Sequence, residues 1–401
     1  MNTLPAITLP AAAPATNAAA TVVSPALSIL QLRSSAGLYG ADQVVLTLAQ
    51  ALARESGVRS RLLSISNYRM PRQPLHEAAM AHGQDAGLLP CRGRLDLRTV
   101  AALAAEAARF DADVLHAHDY KSAFYAWRAS RRRPTLLVAT LHGWTGGSRA
   151  LRVYQQLELA LLRRFDALVV VAASQRQRLL QAGVPSARIH QVDNAIAAPA
   201  PASQSPHALR AALGLPGQAY VFAAVARLAP EKNLAMLVDV FHALAAERAD
   251  VMLLIVGDGP QRADLQAQVR RMHLDTRVHF TGARDDMQRI YPAVDCLVLP
   301  SLTEGMPLVV LEAMAHALPV VASAVGEVPR LLSHAAHGRM VAPGVAAELL
   351  VAMRAAASQP GLRDPQARDY VLREHGSGRM AEAYLAIYRS LLEQPRARAV
   401  S

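Results

Sequence analysis

The sequence predicts an α/β protein built as two doubly wound, Rossmann-like domains facing a central cleft. Three observations predict it. The chain has 401 residues, more than a single hydrophobic core usually serves, so two domains are expected. Short apolar runs alternate with stretches of helical spacing through both halves, the pattern of parallel strands covered by helices on both faces. Between the two series, residues 196–206 (IAAPAPASQSP) concentrate Pro, Ala and Ser in the manner of a linker.

Taken in order, residues 1–25 are rich in Ala, Pro and Thr without a basic start, and read as a disordered leader rather than a signal peptide. The run 26–32 (ALSILQL) leads into a Gly-containing stretch, and 41–54 then places Val44, Val45, Leu48 and Leu52 at helical spacing. That is strand, loop, helix. Apolar runs at 114–116, 136–141 and 167–171 continue a first domain over 26–198, and the linker is expected at 199–206. Candidate strands at 220–226, 251–256, 278–280, 296–299 and 320–322, with helices at 234–248, 262–272 and 307–316, give a second domain over 207–375. A last helix within 376–395 repeats Tyr384, Ile387 and Leu391. Such sheets bind ligands beyond the carboxyl ends of their strands, so the function is expected in the cleft.

Composition narrows the chemistry. An apolar content of 52% with 18% charged residues describes a globular chain, and no uncharged apolar run is long enough for a bilayer span. Cys91 and Cys296 alone give neither a disulfide framework nor a metal cluster, which suits a reducing cytoplasm. The net charge of +11 favours anionic partners, but an aromatic content of 4% offers no stacking platform for nucleic acid. Arg128, Arg131, Arg132 and Arg133 form one cluster, and the segment 149–165 carries Arg149, Arg152, Arg163 and Arg164 among apolar residues. Two readings stay open for them: a solvated helix face, or peripheral contact with anionic lipid at the inner face of the cytoplasmic membrane.

The chemistry concentrates in residues 299–319, LPSLTEGMPLVVLEAMAHALP. A strand ends, Glu304 and Gly305 form a loop, and a helix begins near Pro307, a residue pre-organised for a first helical turn. The backbone N–H groups of Met306, Leu308 and Val309 then face outward where the helix dipole favours an anion such as a diphosphate. Glu304 and Glu312 flank that helix start and suit sugar hydroxyls, although paired carboxylates also serve glycoside hydrolysis. Upstream, 225–233 (VARLAPEKN) places Arg227 and Lys232 in one loop, as either a solvated pair or a clamp for an anion. The strings 257–260 (GDGP) and 280–282 (FTG) read as turns.

The first half contributes Gly37 and Gly40 in the stretch 34–43 (SSAGLYGADQ), before a helix. In 114–119 (VLHAHD), His116 and His118 share one face of a strand, a spacing known for zinc, but no further ligand lies nearby and no metal site is expected. His142 ends a strand in 140–143 (TLHG), and Asn194 stands in 192–197 (VDNAIA) before the linker.

Together these strings resemble the signature of the GT-B retaining glycosyltransferases of family 4, glycosyl transferases group 1, over roughly residues 26–395. The two glutamates have the family's spacing. The resemblance implies that Glu304 and the backbone of Gly305, Met306, Pro307, Leu308 and Val309 meet the donor sugar and diphosphate, and that Glu312 holds the ribose. It implies that Arg227 and Lys232 clamp the diphosphate, that His142 reaches the donor sugar, and that Gly40 and Asn194 border the nucleotide-sugar. Two departures stand out: Tyr39 precedes Gly40 where the family often has a second glycine, and Ala195 and Ala197 replace a glycine and an aspartate. The implied activity is retaining and metal-independent, with no cofactor. It transfers a sugar from a nucleotide-sugar donor to a glycan or lipid-linked glycan, as in exopolysaccharide or lipopolysaccharide synthesis. A nucleotide-sugar epimerase on the same fold and a catalytically inactive nucleotide-sugar-binding module are the alternatives.

Overall fold

The structure is a computed structural model that describes residues 27–394 apart from 36, 67–69, 71, 94–95, 143–157 and 202–203. The expected leader, the first half of the basic segment 149–165, and Gly143 lie outside the described residues.

The first domain is a seven-stranded sheet of β1 (Leu27–Arg33), β2 (Val58–Ile65), β3 (Ala86–Leu89), β4 (Val114–Ala117), β5 (Leu136–Leu141), β6 (Ala167–Val170) and β7 (Ile189–Gln191), ordered β3-β2-β1-β4-β5-β6-β7. The second is a six-stranded sheet of β8 (Tyr220–Val225), β9 (Val251–Val256), β10 (Val278–Gly282), β11 (Cys296–Leu299), β12 (Val320–Ser323) and β13 (Gly338–Val341), ordered β10-β9-β8-β11-β12-β13. Every pairing in both sheets is parallel. The order reverses between β1 and β4 in the first sheet and between β8 and β11 in the second. Loops leaving the two strands at such a switch point diverge and open a crevice.

The two doubly wound domains match the sequence expectation, with more strands than expected. Strands β9 and β11 are buried along their whole length, and unbroken apolar runs announce them. The additional strands β3, β7 and β13 are short sheet edges, and β2 begins with Arg59 and Arg61, so no long apolar run marks any of them. The linker ends earlier than expected: Pro206 opens a helix (Pro206–Ala212), capped by the Ser205 hydroxyl, which accepts from the Ala208 N–H at 3.2 Å.

The chain crosses between domains twice, and the two crossings are joined. Ile196 N–H donates to the His375 carbonyl at 3.0 Å and Ser377 N–H donates to the Ile196 carbonyl at 3.1 Å. The last helix (Ser377–Glu393) then lies against the first domain's opening helix (Gly40–Leu52). Its Met380, Tyr384, Tyr388 and Leu391 join an apolar cluster that runs from Leu27 and Ile29 of β1 to Leu297 and Leu299 of β11. Two hydroxyls cross the same seam. Tyr388 bonds His116 Nδ1 at 2.7 Å, Tyr384 bonds the Thr140 hydroxyl at 2.9 Å, and that hydroxyl meets His116 Nε2 at 2.8 Å. His116 therefore engages both ring nitrogens in holding the last helix. Among the described residues no group of three or more potential ligands is arranged to hold a metal ion.

Candidate active site

At the second domain's switch point, the loops after β8 and β11 meet. Lys232 Nζ lies 2.6 Å from Glu304 Oε1, and the Ser301 hydroxyl donates to the same oxygen at 2.7 Å. The Glu304 side chain is only 9% exposed, a position where an unpartnered carboxylate would be costly. The loop's shape follows from its sequence. Pro230–Lys232 form one 3-10 turn, and Asn233 at φ 54° ends it in the left-handed region before the helix Leu234–Glu247. The GDGP string lies beneath this loop: a Cβ on Gly257 would come within 1.9 Å of the Ala226 carbonyl oxygen, and one on Gly259 within 2.4 Å of that of Leu228. Only glycines admit the loop that carries Arg227 so close. Arg227 is exposed and makes no ion pair among the described residues.

The helix after β11 spans Leu308–Ala315, with Pro307 as its N-cap. Pro307 therefore stands one position before the helix instead of inside its first turn. The amides of Leu308 and Val309 open the helix and have no carbonyl one turn back to receive them. Glu312 sits one turn in, half-buried, where its Oε2 accepts from the Tyr291 hydroxyl at 2.6 Å. Burial pushes its carboxyl above the usual range, against the opposing pull of that hydrogen bond.

The loop between these glutamates touches the first domain. A Cβ on Gly305 would sit 3.7 Å from both Val171, which follows β6, and Gln175, in the helix after it (Ala173–Gln181). Met306 is buried, and its carbonyl accepts from Asn194 Nδ2 at 2.8 Å. Behind it, Gly326 at φ 56° lets Glu327 donate its N–H to the Gly305 carbonyl at 2.8 Å. The Glu327 carboxylate then accepts from the Ala173 N–H of the first domain at 2.9 Å, and Arg330 lies 2.8 Å from both Glu327 and Asp193. This clasp ties the loop of Glu304 and Gly305 to both domains.

Across the cleft, at the first domain's switch point, Arg33 Nε lies 2.9 Å from Asp42 Oδ1 and its Nη1 donates to the His118 carbonyl at 2.6 Å. Asp42, fully buried, also accepts from Ser35 Oγ and from the Tyr39 N–H. Together these bonds shape the loop ahead of Gly40. A Cβ on Gly40 would meet the Leu308 side chain at 3.9 Å, so the helix starts of the two domains face each other. His142 is half-buried at the end of β5, with Nε2 3.1 Å from His118 Nδ1. Burial, and then the charge of Arg33, hold His142 well below the usual imidazole range.

The structure thus groups Glu304, Gly305, Lys232, Met306, Pro307, Leu308, Val309 and Glu312 on the second domain. Arg227 lies in the same loop as Lys232. Gly40 and His142 stand on the first domain, while Asn194 is engaged with the Met306 carbonyl. Sequence reasoning missed Ser301, Tyr291, Arg33 and the Asp193–Arg330–Glu327 clasp. Ser301 lay inside the recognised string. Tyr291 reaches Glu312 across 21 residues and Arg330 reaches Asp193 across 137, separations that leave no local signal, while Arg33 pairs with Asp42 only nine residues on without a pattern that marks the pair.

A profile of Glycosyltransferase Family 4 matches residues 39–198, and one of Glycosyl transferases group 1 matches residues 219–359. The 2-deoxystreptamine glucosyltransferase of Streptomyces kanamyceticus is 33% identical over 51% of this chain and 53% of its own. The UDP-Gal:alpha-D-GlcNAc-diphosphoundecaprenol alpha-1,3-galactosyltransferase of Escherichia coli is 30% identical over 53% of this chain and 57% of its own. The chain therefore spans a little over half the length of these curated relatives. Among solved structures, Anabaena HepE in complex with UDP and glucose superposes with a TM-score of 0.77 at 21% identity, covering 91% of this chain and 100% of that one. The fold is GT-B.

Proposed function

Since the chain belongs, domain by domain, to Glycosyltransferase Family 4 and Glycosyl transferases group 1, we propose that it is a retaining, metal-independent glycosyltransferase. It moves a sugar from a nucleotide-sugar to a glycan or lipid-linked glycan acceptor, in exopolysaccharide or lipopolysaccharide synthesis. The observation that carries this reading is the Lys232–Glu304 pair beside the open helix start at the β8/β11 switch point, where a cation, a carboxylate and free amides converge.

In this reading the diphosphate lies at the Leu308 and Val309 amides, and Lys232 and Arg227 offset the charge that grows on the departing phosphate oxygen. Charge preorganised in this way usually lowers the barrier to group transfer more than any other single effect. The sugar's C1–O bond to the phosphate breaks as the acceptor hydroxyl forms its bond on the same face, and the hydroxyl proton passes to the departing phosphate oxygen. Glu304 orients the sugar, Glu312 holds the ribose hydroxyls, and His142 meets the sugar from the first domain. Gly40 leaves room near the phosphates, while Asn194 fixes the Met306–Pro307 turn. The name of the Escherichia coli relative supports a UDP-sugar donor and a diphosphoundecaprenol-type acceptor. No described helix is long and apolar enough to cross a membrane, so contact with a lipid-linked acceptor is peripheral in this reading and falls to the basic residues at the inner face of the cytoplasmic membrane.

The test is a screen of nucleotide-sugars for thermal stabilisation in EDTA, since a ligand of the native state raises its melting temperature. At least one nucleotide-sugar is expected to raise it, with turnover in the same buffer. If none does, the reading fails.

A further inference from the structure

Three histidines stand in a row where β4 and β5 end, and the proposed transfer uses only one. The rings of His116 and His118 are 4.0 Å apart, and those of His118 and His142 are stacked at 5.4 Å. His116 is committed to the last helix through Tyr388 and Thr140. His118 is 2% exposed, and one of its nitrogens, Nδ1, is bonded to His142 Nε2 at 3.1 Å. The other two nitrogens of the pair, His118 Nε2 and His142 Nδ1, are buried and have no hydrogen-bond partner among the described residues. Buried polar atoms are nearly always hydrogen-bonded, so such a pair of orphans calls for a functional account.

We propose that His118 is a positioning residue for His142: by holding Nε2 it leaves Nδ1 as the nitrogen that bonds a hydroxyl of the donor sugar, and it fixes whether that nitrogen donates or accepts. The proposal rests on the glycosyl-transfer reading for the identity of the ligand, and on the pair's geometry for everything else. Two neutral imidazoles share two protons. If the proton between them belongs to His142 Nε2, then His142 Nδ1 is bare and accepts, and His118 carries its proton on Nε2. If it belongs to His118 Nδ1, then His142 carries its own proton on Nδ1 and donates. The outer nitrogen of His142 thus has opposite character in the two arrangements, which differ in the shared proton and in which outer nitrogen carries the second one, while each ring stays neutral. Burial keeps both rings neutral, helped by the neighbouring histidine rings and by the Arg33 guanidinium, which makes a second positive charge unfavourable. Arg33 also grips the His118 backbone carbonyl at 2.6 Å, so the positioning ring is itself anchored.

The test uses the full chain with nitrogen-15-labelled histidine and three variants. His118→Ala removes the partner, and His118→Asn restores a polar atom near the place of Nδ1. Tyr388→Phe loosens the last helix without touching the pair. In wild type, the His142 signals are expected to be those of a neutral, hydrogen-bonded ring. They should move in His118→Ala and return towards wild type in His118→Asn. Turnover should fall ~10–100-fold in His118→Ala, in the range of a lost orienting partner, and recover at least partly in His118→Asn. Tyr388→Phe should lower the melting temperature while leaving the His142 signals and turnover in place. Unmoved His142 signals in a folded His118→Ala protein overturn the proposal, as does equal loss of turnover in the Ala and Asn variants. If no nucleotide-sugar is ever turned over, the transfer reading fails. The imidazole signals still decide whether His118 sets the state of His142.

Discussion

The two switch points share a topology and differ in what they do with it. At β8/β11, Lys232 and Glu304 form a pair whose lysine is 22% exposed and reaches the loop that leads into the helix Leu308–Ala315. At β1/β4, Arg33 and Asp42 form a pair whose aspartate is wholly buried and whose remaining bonds all go to the chain's own loop. In the proposed reading, one pair meets an external anion. The other uses its charges to shape the loop before Gly40 and to anchor His118. The same sheet order therefore gives one domain a partly exposed pair and the other a buried, scaffolding pair, and the difference lies in what surrounds each charge.

Substitutions sharpen this contrast. Lys232→Ala should have the largest effect: a fall in turnover of ~10²–10³ with the fold retained, measured by steady-state kinetics alongside circular dichroism. Asp42→Ala should act in the opposite sense, lowering unfolding free energy by about 3 kcal/mol because Arg33, 14% exposed, is left without its counter-charge. Urea titration reads that loss. Were Asp42→Ala to leave stability intact and abolish only turnover, the contrast between the two pairs would collapse.

The histidine row predicts a pH dependence. Burial pushes His116 down to about 3 and holds His118 and His142 well below the usual range. On lowering the pH through about 6.5 the unfolded chain takes up protons that the folded chain refuses. Stability contributed by the row is thus fully present above that value and is lost progressively as the pH falls towards about 3. The urea midpoint should drop between about pH 7 and 5.5, where carboxylates stay ionised, and should drop less in His116→Gln.

The smallest expected effect is at the clasp. Arg330 bridges Glu327 and Asp193 with a side chain 40% exposed, so solvent screens both pairs. Arg330→Ala should cost about 1 kcal/mol or less in unfolding free energy. It should weaken donor binding more than it lowers melting temperature, because the clasp holds the loop of Gly305 between the domains. Calorimetric titration with the donor, compared with a thermal melt, separates the two.

Much of the second domain's site was legible. Glu304, Gly305, Pro307 and Glu312 fall within one short string, and Arg227 and Lys232 within another, because a loop and the helix start after it are local structures with local signals. The strands β9 and β11 were legible for the same reason. What stayed hidden depends on separation: Tyr291 reaches Glu312 across 21 residues, Asn194 reaches Met306 across 112, and Arg330 reaches Asp193 across 137. Nothing in the neighbourhood of Tyr291 or Arg330 marks them. Asn194 stood in a recognisable string, yet its hydrogen bond to the donor loop could not be read from it.

The sequence by itself determined the alternation of strand and helix, the two domains, the glycine loops and the helix start that offers free amides, since each follows from periodicity or from backbone freedom within a few residues. Tertiary structure alone decided that Lys232 meets Glu304, that Gly305 rests against Val171 and Gln175, and that three histidines from two strand ends form a row. Those contacts exist because parallel strands distant in sequence become neighbours at a switch point. Neighbourhood in a sheet is set by the cooperative burial of whole strands, which no short stretch of sequence encodes.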